Sequence, residues 1–204
     1  MLTNKELRIM HLFRKNISAS FTIREIMKRI NTKSYNWTYN AVKDLEKEKI
    51  IILNKKGQSQ LCTLNLEEQK TILYLSLLEE LNALDKKLPN LKKIIDLTNI
   101  EVHTLIITGS YADNTFTEKS DMDLAVIIDK KEDRKWILNK LSNEGSLFIP
   151  NLHPYVFTKD EFLEMLKNKE LNYGKEIIKK HLIIFGAQLY FKILREAIKY
   201  GYSG

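Results

Sequence analysis

The chain has little cysteine, proline or glycine and no long apolar run. A single cysteine, Cys62, among 204 residues rules out a disulfide framework and a thiolate metal site, and no motif around it marks a nucleophile. Four histidines, His11, His103, His153 and His181, are scattered without the spacing of metal ligands. No stretch of eighteen apolar residues occurs, so no membrane-spanning helix is expected. The opening residues Met1-Leu2-Thr3-Asn4-Lys5-Glu6 lack the charged-then-apolar plan of a signal peptide, and the expected location is the cytoplasm. With 44% hydrophobic and 29% charged residues, a chain of this length buries one large core or two small ones.

What the chain does have is positive charge gathered in one place. Residues 1–65 carry 13 Lys and Arg against 5 Asp and Glu, residues 66–87 carry 3 against 5, and residues 88–204 carry 17 against 16. The net charge of +7 therefore belongs to the N-terminal segment, the electrostatic footprint of a polyanion-binding surface, most often for nucleic acid.

Within that segment, Leu7, Ile9, Met10, Leu12 and Phe13 recur at helical spacing and predict a helix from about Asn4 to Lys15. Thr22-Ile23-Arg24-Glu25 is a capping box that opens a second helix, with Phe21 able to staple onto Ile26. A third helix starts near Ser34 and keeps Trp37, Ala41, Val42 and Leu45 on its inner face. Ile50 to Leu53 and Gln60 to Leu64 then bracket Asn54-Lys55-Lys56-Gly57, a hairpin turn signal. Three helices and a basic hairpin in that order resemble a winged helix-turn-helix over residues 1–65. The resemblance implies DNA as partner, with the third helix in a major groove. Lys33, Ser34, Tyr35, Asn36, Thr38, Tyr39, Asn40 and Lys43 are its outward candidates, and Lys55 and Lys56 of the wing are available for phosphates. A protein-contact or purely structural use of the same fold stays open.

Leu66, Leu73, Leu77, Leu81, Leu84 and Leu88 follow at gaps of seven, four, four, three and four, which predicts a linker helix over 66–88 closed by Pro89. Its apolar seam either packs on the chain's own domains or pairs two copies as a homodimer, and the pattern leaves both open.

The densest signal is Leu105-Ile106-Ile107-Thr108-Gly109-Ser110, followed after a short interval by Ser120-Asp121-Met122-Asp123-Leu124-Ala125-Val126-Ile127-Ile128. Leu105 to Thr108 and Leu124 to Ile128 read as buried strands. Asp121 and Asp123 are two apart, so on an extended chain both point to one face, where they repel unless a cation sits between them. Oxygen ligands suit Mg²⁺. Gly109 lets the backbone come close to a phosphate, and Ser110 adds a hydroxyl. The plainer alternative is a solvated turn ahead of a core strand, where aspartate is common.

This pattern resembles the nucleotidyltransferase superfamily typified by DNA polymerase β, in its small archaeal and bacterial branch with the minimal nucleotidyltransferases and kanamycin nucleotidyltransferase. The motif is short, and the likeness extends loosely over Leu88 to Gly204. It implies that Gly109 and Ser110, with Ser120, hold a nucleoside triphosphate, expected to be ATP. It also implies that Asp121 and Asp123 bind Mg²⁺ or Mn²⁺ for in-line attack on the α-phosphorus. The chain departs from the family at two points. Asp113-Asn114 stands where the family often has Arg-Gly, so the turn lacks a positive side chain, although Asn114 can adopt the left-handed conformation that Gly would supply. A third carboxylate is expected on the strand Leu152-His153-Pro154-Tyr155-Val156-Phe157, which has none. His153 stands there instead, either as base or ligand or as an ordinary strand histidine. Asp160 and Glu161 do not replace the acid, because Thr158-Lys159-Asp160-Glu161 reads as a capping box.

Further along, Lys130 to Leu141 predicts a helix with Trp136, Ile137 and Leu141 as core. Leu182 to Phe185 predicts a strand, and Ala187 to Tyr200 a helix bearing Leu189, Tyr190, Ile193, Leu194, Ala197 and Ile198. The expected architecture is α+β: a winged helix-turn-helix (1–65), a linker helix (66–88) and a polymerase-β-like mixed sheet flanked by helices (89–204). The expected activity is metal-dependent transfer of a nucleoside monophosphate to an acceptor, catalysed through Asp121, Asp123 and His153. By resemblance the acceptor is a protein hydroxyl, such as a HEPN-type toxin, a nucleic-acid end or a small molecule. The rival expectation is a DNA-binding regulator or antitoxin-like protein whose transferase domain senses nucleotide.

Overall fold

Apolar spacing near the N-terminus buries Ile9, Met10 and Phe13 on one side of α1 (Asn4–Phe13), which stops two residues short of the predicted end. A short strand that the sequence did not announce, β1 (Ser20–Thr22), leads into α2 (Ile23–Arg29). The capping box forms as predicted: Thr22 Oγ1 accepts from Glu25 N at 3.2 Å, and Glu25 Oε2 accepts from Thr22 N at 2.7 Å, so helix-start donors find partners. Phe21 packs on Phe13, with ring centroids 5.0 Å apart. Ser34 caps α3 (Tyr35–Lys47) by accepting from Trp37 N at 3.2 Å. Two strands follow, β2 (Ile51–Lys56) and β3 (Ser59–Leu64), in a three-stranded antiparallel sheet of order β1-β3-β2. This is the winged helix arrangement of three helices and a β-hairpin.

Three details correct the sequence expectations for this unit. Thr38 does not face a groove: it is fully buried beside Ala41 and Val42, with its hydroxyl donating to Ser34 O at 3.1 Å. Lys55 and Lys56 are not turn residues but ladder residues, paired with Gln60 and Ser59, and the chain reverses beyond them through Gly57 at φ +60°. Trp37 is only partly inside, with Lys5 and Arg8 stacked over its ring. Cys62 lies buried, and burial pushes its thiol up to about 12, which removes it as a nucleophile near neutral pH.

The computed structural model describes residues 1–57, 59–98 and 104–202; His103 lies outside the described residues. They form two units, Met1–Leu78 and Glu79–Tyr202, with the division inside α4 (Gln69–Leu84). Leu66 and Leu88 fall outside that helix, while Leu73, Leu77, Leu81 and Leu84 are 48 to 54% exposed along it. A second helix beyond Pro89, α5 (Leu91–Thr98), was not predicted.

In the second unit, β4 (Thr104–Thr108), a single-turn α6 (Gly109–Asp113) and β5 (Met122–Ile128) form an antiparallel pair. After α7 (Arg134–Gly145), the strand β6 (Leu152–Thr158) returns parallel to β5. Then come α8 (Lys159–Lys167), α9 (Tyr173–Lys179), β7 (His181–Phe185) and α10 (Ala187–Lys199). The mixed sheet runs β6-β5-β4-β7, with β6 at an edge. Thr158 and Glu161 cap α8 reciprocally, at 3.2 and 3.0 Å, so Glu161 is structural as expected. Alternation along the strands sends Leu105, Ile107, Leu124, Val126 and Ile128 into one core with Ile94, Ile137 and Leu141. The opposite face carries Thr108, Asp123 and His153. Trp136, predicted as core, is instead 51% exposed under Lys140, because α7 buries only its Ile137 and Leu141 side. Among the described residues no helix is long and apolar enough to cross a membrane.

Candidate active site

Strand register brings the site together. Thr108, the last residue of β4, is the Cα partner of Asp123 on β5, and Asp123 is in turn the partner of His153 on β6. The chain leaves β4 through Gly109 at φ +66°, a conformation that L side chains rarely adopt. A Cβ at this position would also collide with Asp123 Oδ2. Glycine is thus required both by its own dihedral angle and by the carboxylate beside it. The turn closes through Asn114, at φ 63° and ψ 33°, which takes the left-handed conformation expected of it. Ser110 O accepts from Thr115 N at 2.9 Å, so the Gly-Ser segment is held as a tight turn against the sheet end.

Asp123 is half-buried and Asp121, just ahead of β5, is exposed. Burial holds the Asp123 carboxyl above the ordinary carboxylate range; the neighbouring His153 works against that shift, and the charge of Asp121 adds to it. A half-desolvated carboxylate with a second one nearby favours an added cation. Among the described residues no three His, Cys, Asp or Glu side chains gather into a metal-holding group. Two carboxylates alone do not complete the shell of a hard cation, so an ion on the aspartate pair would take its remaining oxygens from elsewhere, such as phosphate. Ser120 braces the loop: its Oγ accepts from Thr117 N at 2.9 Å, and its carbonyl from the Tyr111 hydroxyl at 3.4 Å.

His153 occupies the position where a third acid was expected. Its Nδ1 lies 3.5 Å from Asp123 Oδ1 and 3.4 Å from the Tyr155 hydroxyl, and its side chain is 59% exposed. A buried packing histidine would not be so open, and an exposed residue tolerates exchange. His153→Asp should therefore fold as the parent does while strengthening divalent-cation binding beside Asp123. Calorimetric Mn²⁺ titration together with a melting curve reads both; a lower melting point with unchanged cation affinity would refute the placement.

Four further residues join the site that sequence reasoning missed. A pocket of 360 Å³ is lined by Thr108, Gly109 and Asp123 from the sheet end and by Tyr173, Glu176, Lys179 and Lys180 from α9 and the residue after it. The Tyr173 ring packs on Tyr155 with centroids 4.3 Å apart and a tilt of 38°, and its hydroxyl is pushed well up, first by burial and then by the charge of Asp123. Lys180 reaches back to the turn, with Nζ 2.5 Å from Asp113 Oδ2. No local pattern announces these residues, since α9 follows Asp123 by fifty positions. Below them His181 is buried with Glu79, its Nε2 3.6 Å from Glu79 Oε1, so this histidine belongs to the interior and not to the pocket.

The family described as "Nucleotidyltransferase domain" matches residues 84–200, more than half of the chain and all of the pocket. No curated protein matches. Among solved structures, the chain is similar to that of MepR, a transcription regulator of the Staphylococcus aureus multidrug efflux pump MepA. The identity is 18%, over 48% of this chain and 75% of that one, with a TM-score of 0.35, a likeness too slight to bear on function.

Proposed function

Because the chain belongs to the nucleotidyltransferase family, we propose that its second unit transfers a nucleoside monophosphate from a triphosphate, with ATP the first to assay, to an acceptor hydroxyl, releasing pyrophosphate. The observation that carries this reading is the closure of the Gly109 turn onto the Asp123 carboxylate across neighbouring strands. It sets a backbone that phosphate can approach beside an acid pair that calls for a cation. Asp121 and Asp123 would hold one Mg²⁺ or Mn²⁺, which when bound offsets the charge that develops on the transferred phosphoryl group. Gly109 and Ser110 take the phosphate side. His153, on the edge strand and open to solvent, is our choice for the group that receives the acceptor's proton. Acceptors to assay are a protein hydroxyl, including that of a HEPN-type toxin, a nucleic-acid end and a small molecule. Incubation with labelled triphosphate and Mg²⁺ tests the reading by release of pyrophosphate. Tight binding without turnover would favour the second reading, a nucleotide-sensing regulator, which the lack of an acid on β6 supports.

The first unit supports DNA as partner. A groove of 610 Å³ lies between the start of α2, the start of α3 and the wing, lined by Thr22, Ile23, Arg24, Tyr35, Lys55, Ser59 and Gln60. Lys33, Ser34, Tyr35, Asn36 and Asn40 are exposed around the start of α3, whereas Lys43 is partly occupied by Glu46 at 2.7 Å. The full chain should bind duplex DNA with affinity that falls as salt rises, by a slope of roughly −0.9 per phosphate neutralised. Lys55→Glu with Lys56→Glu should weaken binding to all sequences alike, and Asn36→Ala or Asn40→Ala should act on particular sites. Absence of salt-dependent binding at low ionic strength would make this unit a protein-contact module. The exposed leucines of α4 support a homodimer, which sedimentation would read as twice 24.0 kDa.

A further inference from the structure

The segment from Gly109 to Glu118, which turns at the sheet end, contains no lysine or arginine. Its charged members, Asp113 and Glu118, carry the same sign as Asp121 and Asp123. The one cation of the loop before β5, the exposed Lys119, lies further along at its Ser120 end and does not line the pocket. The cations that do line the pocket come from elsewhere in the fold. Lys179 and Lys180 line the wall of the pocket opposite Asp123, at the junction of α9 and β7.

Lys180 is the better fixed of the two. Its carbonyl accepts from Thr108 Oγ1 at 2.6 Å, so its backbone is pinned to the residue just before Gly109. The next residue, His181, is the register partner of Thr108. The Lys180 ammonium sits 2.5 Å from Asp113 Oδ2, while Asp113 Oδ1 accepts from Thr115 Oγ1 at 2.5 Å. The Lys180 ammonium, and then the Thr115 hydroxyl, hold the Asp113 carboxyl below its usual range. Lys180 remains 53% exposed despite these contacts, and such open ion pairs contribute little to stability, so the ammonium can exchange partners at low cost.

Resting on the nucleotidyltransferase reading, we propose that Lys180 is the receptor for the β- and γ-phosphates and that Asp113 is its resting partner, which the polyphosphate of the nucleotide displaces. Phosphate oxygens, carrying more charge than one carboxylate, take the ammonium over from Asp113. The site thereby selects nucleotides by the length of their phosphate chain. A triphosphate has phosphates for both Asp123 and Lys180, which line one pocket, whereas a monophosphate has a single phosphate to offer the two.

The same geometry admits a structural alternative, in which the Lys180–Asp113 pair merely braces the turn, and the two make opposite predictions for Asp113. ATP and AMP are titrated in Mg²⁺ by calorimetry into the full-length parent and into Lys180→Met, Asp113→Asn and Asp123→Asn. Loss of a charge-assisted contact should weaken ATP binding by Lys180→Met roughly tenfold to a hundredfold and leave AMP binding nearly unchanged. Asp113→Asn, which frees the lysine, should bind ATP at least as tightly as the parent. If Lys180→Met binds ATP like the parent while Asp123→Asn does not, the phosphate assignment is overturned and the site reading stands. If Asp113→Asn weakens ATP as much as Lys180→Met, the pair is a brace and the proposal falls. A parent that binds no triphosphate removes both the site reading and this one.

Discussion

Gly109→Ala should eliminate measurable nucleotide binding and lower stability together. At φ +66° an alanine is strained by about 1–3 kcal/mol before any contact is considered. The added methyl also meets Asp123 Oδ2, the end of a side chain that belongs to the site. Relief requires moving either the turn or the carboxylate, and both are parts of the proposed site. A drop in melting temperature with at least a hundredfold loss of ATP affinity is the expected result, on the order of the losses seen when one preorganised contact is removed. Parent-like ATP binding in this variant would separate the turn from the nucleotide and defeat the assignment. Asn114→Ala, which also has to fit a left-handed residue but lies outside the pocket lining, is the comparison that isolates strain from collision.

Asp123→Asn is expected to act on function and stability in opposite directions. Without the charge, Mg²⁺-dependent triphosphate binding and any transfer should fall by about a hundredfold or more. Stability should not fall with them. Burial, with Asp121 adding to it, raises the Asp123 carboxyl in the folded state, against the smaller opposing effect of His153. A carboxyl whose folded value lies above its unfolded value contributes stability at acid pH, and that contribution is lost as pH rises through the folded value. At neutral pH the ionised Asp123 is therefore a cost, and the asparagine removes it. The variant should melt at or above the parent at pH 7, and the difference should shrink as pH falls below the carboxylate range. Asp121→Asn, at an exposed position, should lose binding in the same way with little change in melting. A variant at either position that keeps its ATP affinity would show that the pair is only a strand-leading turn.

The histidine and the lysine beside this pair differ in how readable they were. His153 could be located from sequence because it lies in an apolar run that reads as a strand, and the resemblance to the nucleotidyltransferases implies that this strand lies next to the Asp-X-Asp strand. Its distance to Asp123 follows once that pairing is parallel. Lys180 could not, because its position depends on α9 crossing the sheet end and on a bond between Thr108 and its own carbonyl, 72 residues apart.

Sequence alone determined what neighbours along the chain decide. The reciprocal caps at Thr22 and Thr158, the buried strands around Gly109 and Asp123, the left-handed Asn114 and the basic excess before residue 66 all rest on interactions within a few residues or on simple counting. Tertiary structure decided which side of an element faces inward and which distant side chains share a pocket. Thr38 turned in and Trp136 turned out because a helix has only one stripe to bury, and packing partners elsewhere in the chain choose it. Tyr173, Glu176, Lys179 and Lys180 reached Gly109 through the pairing of β7 with β4, a register set by the packing of the whole sheet and carried by no motif.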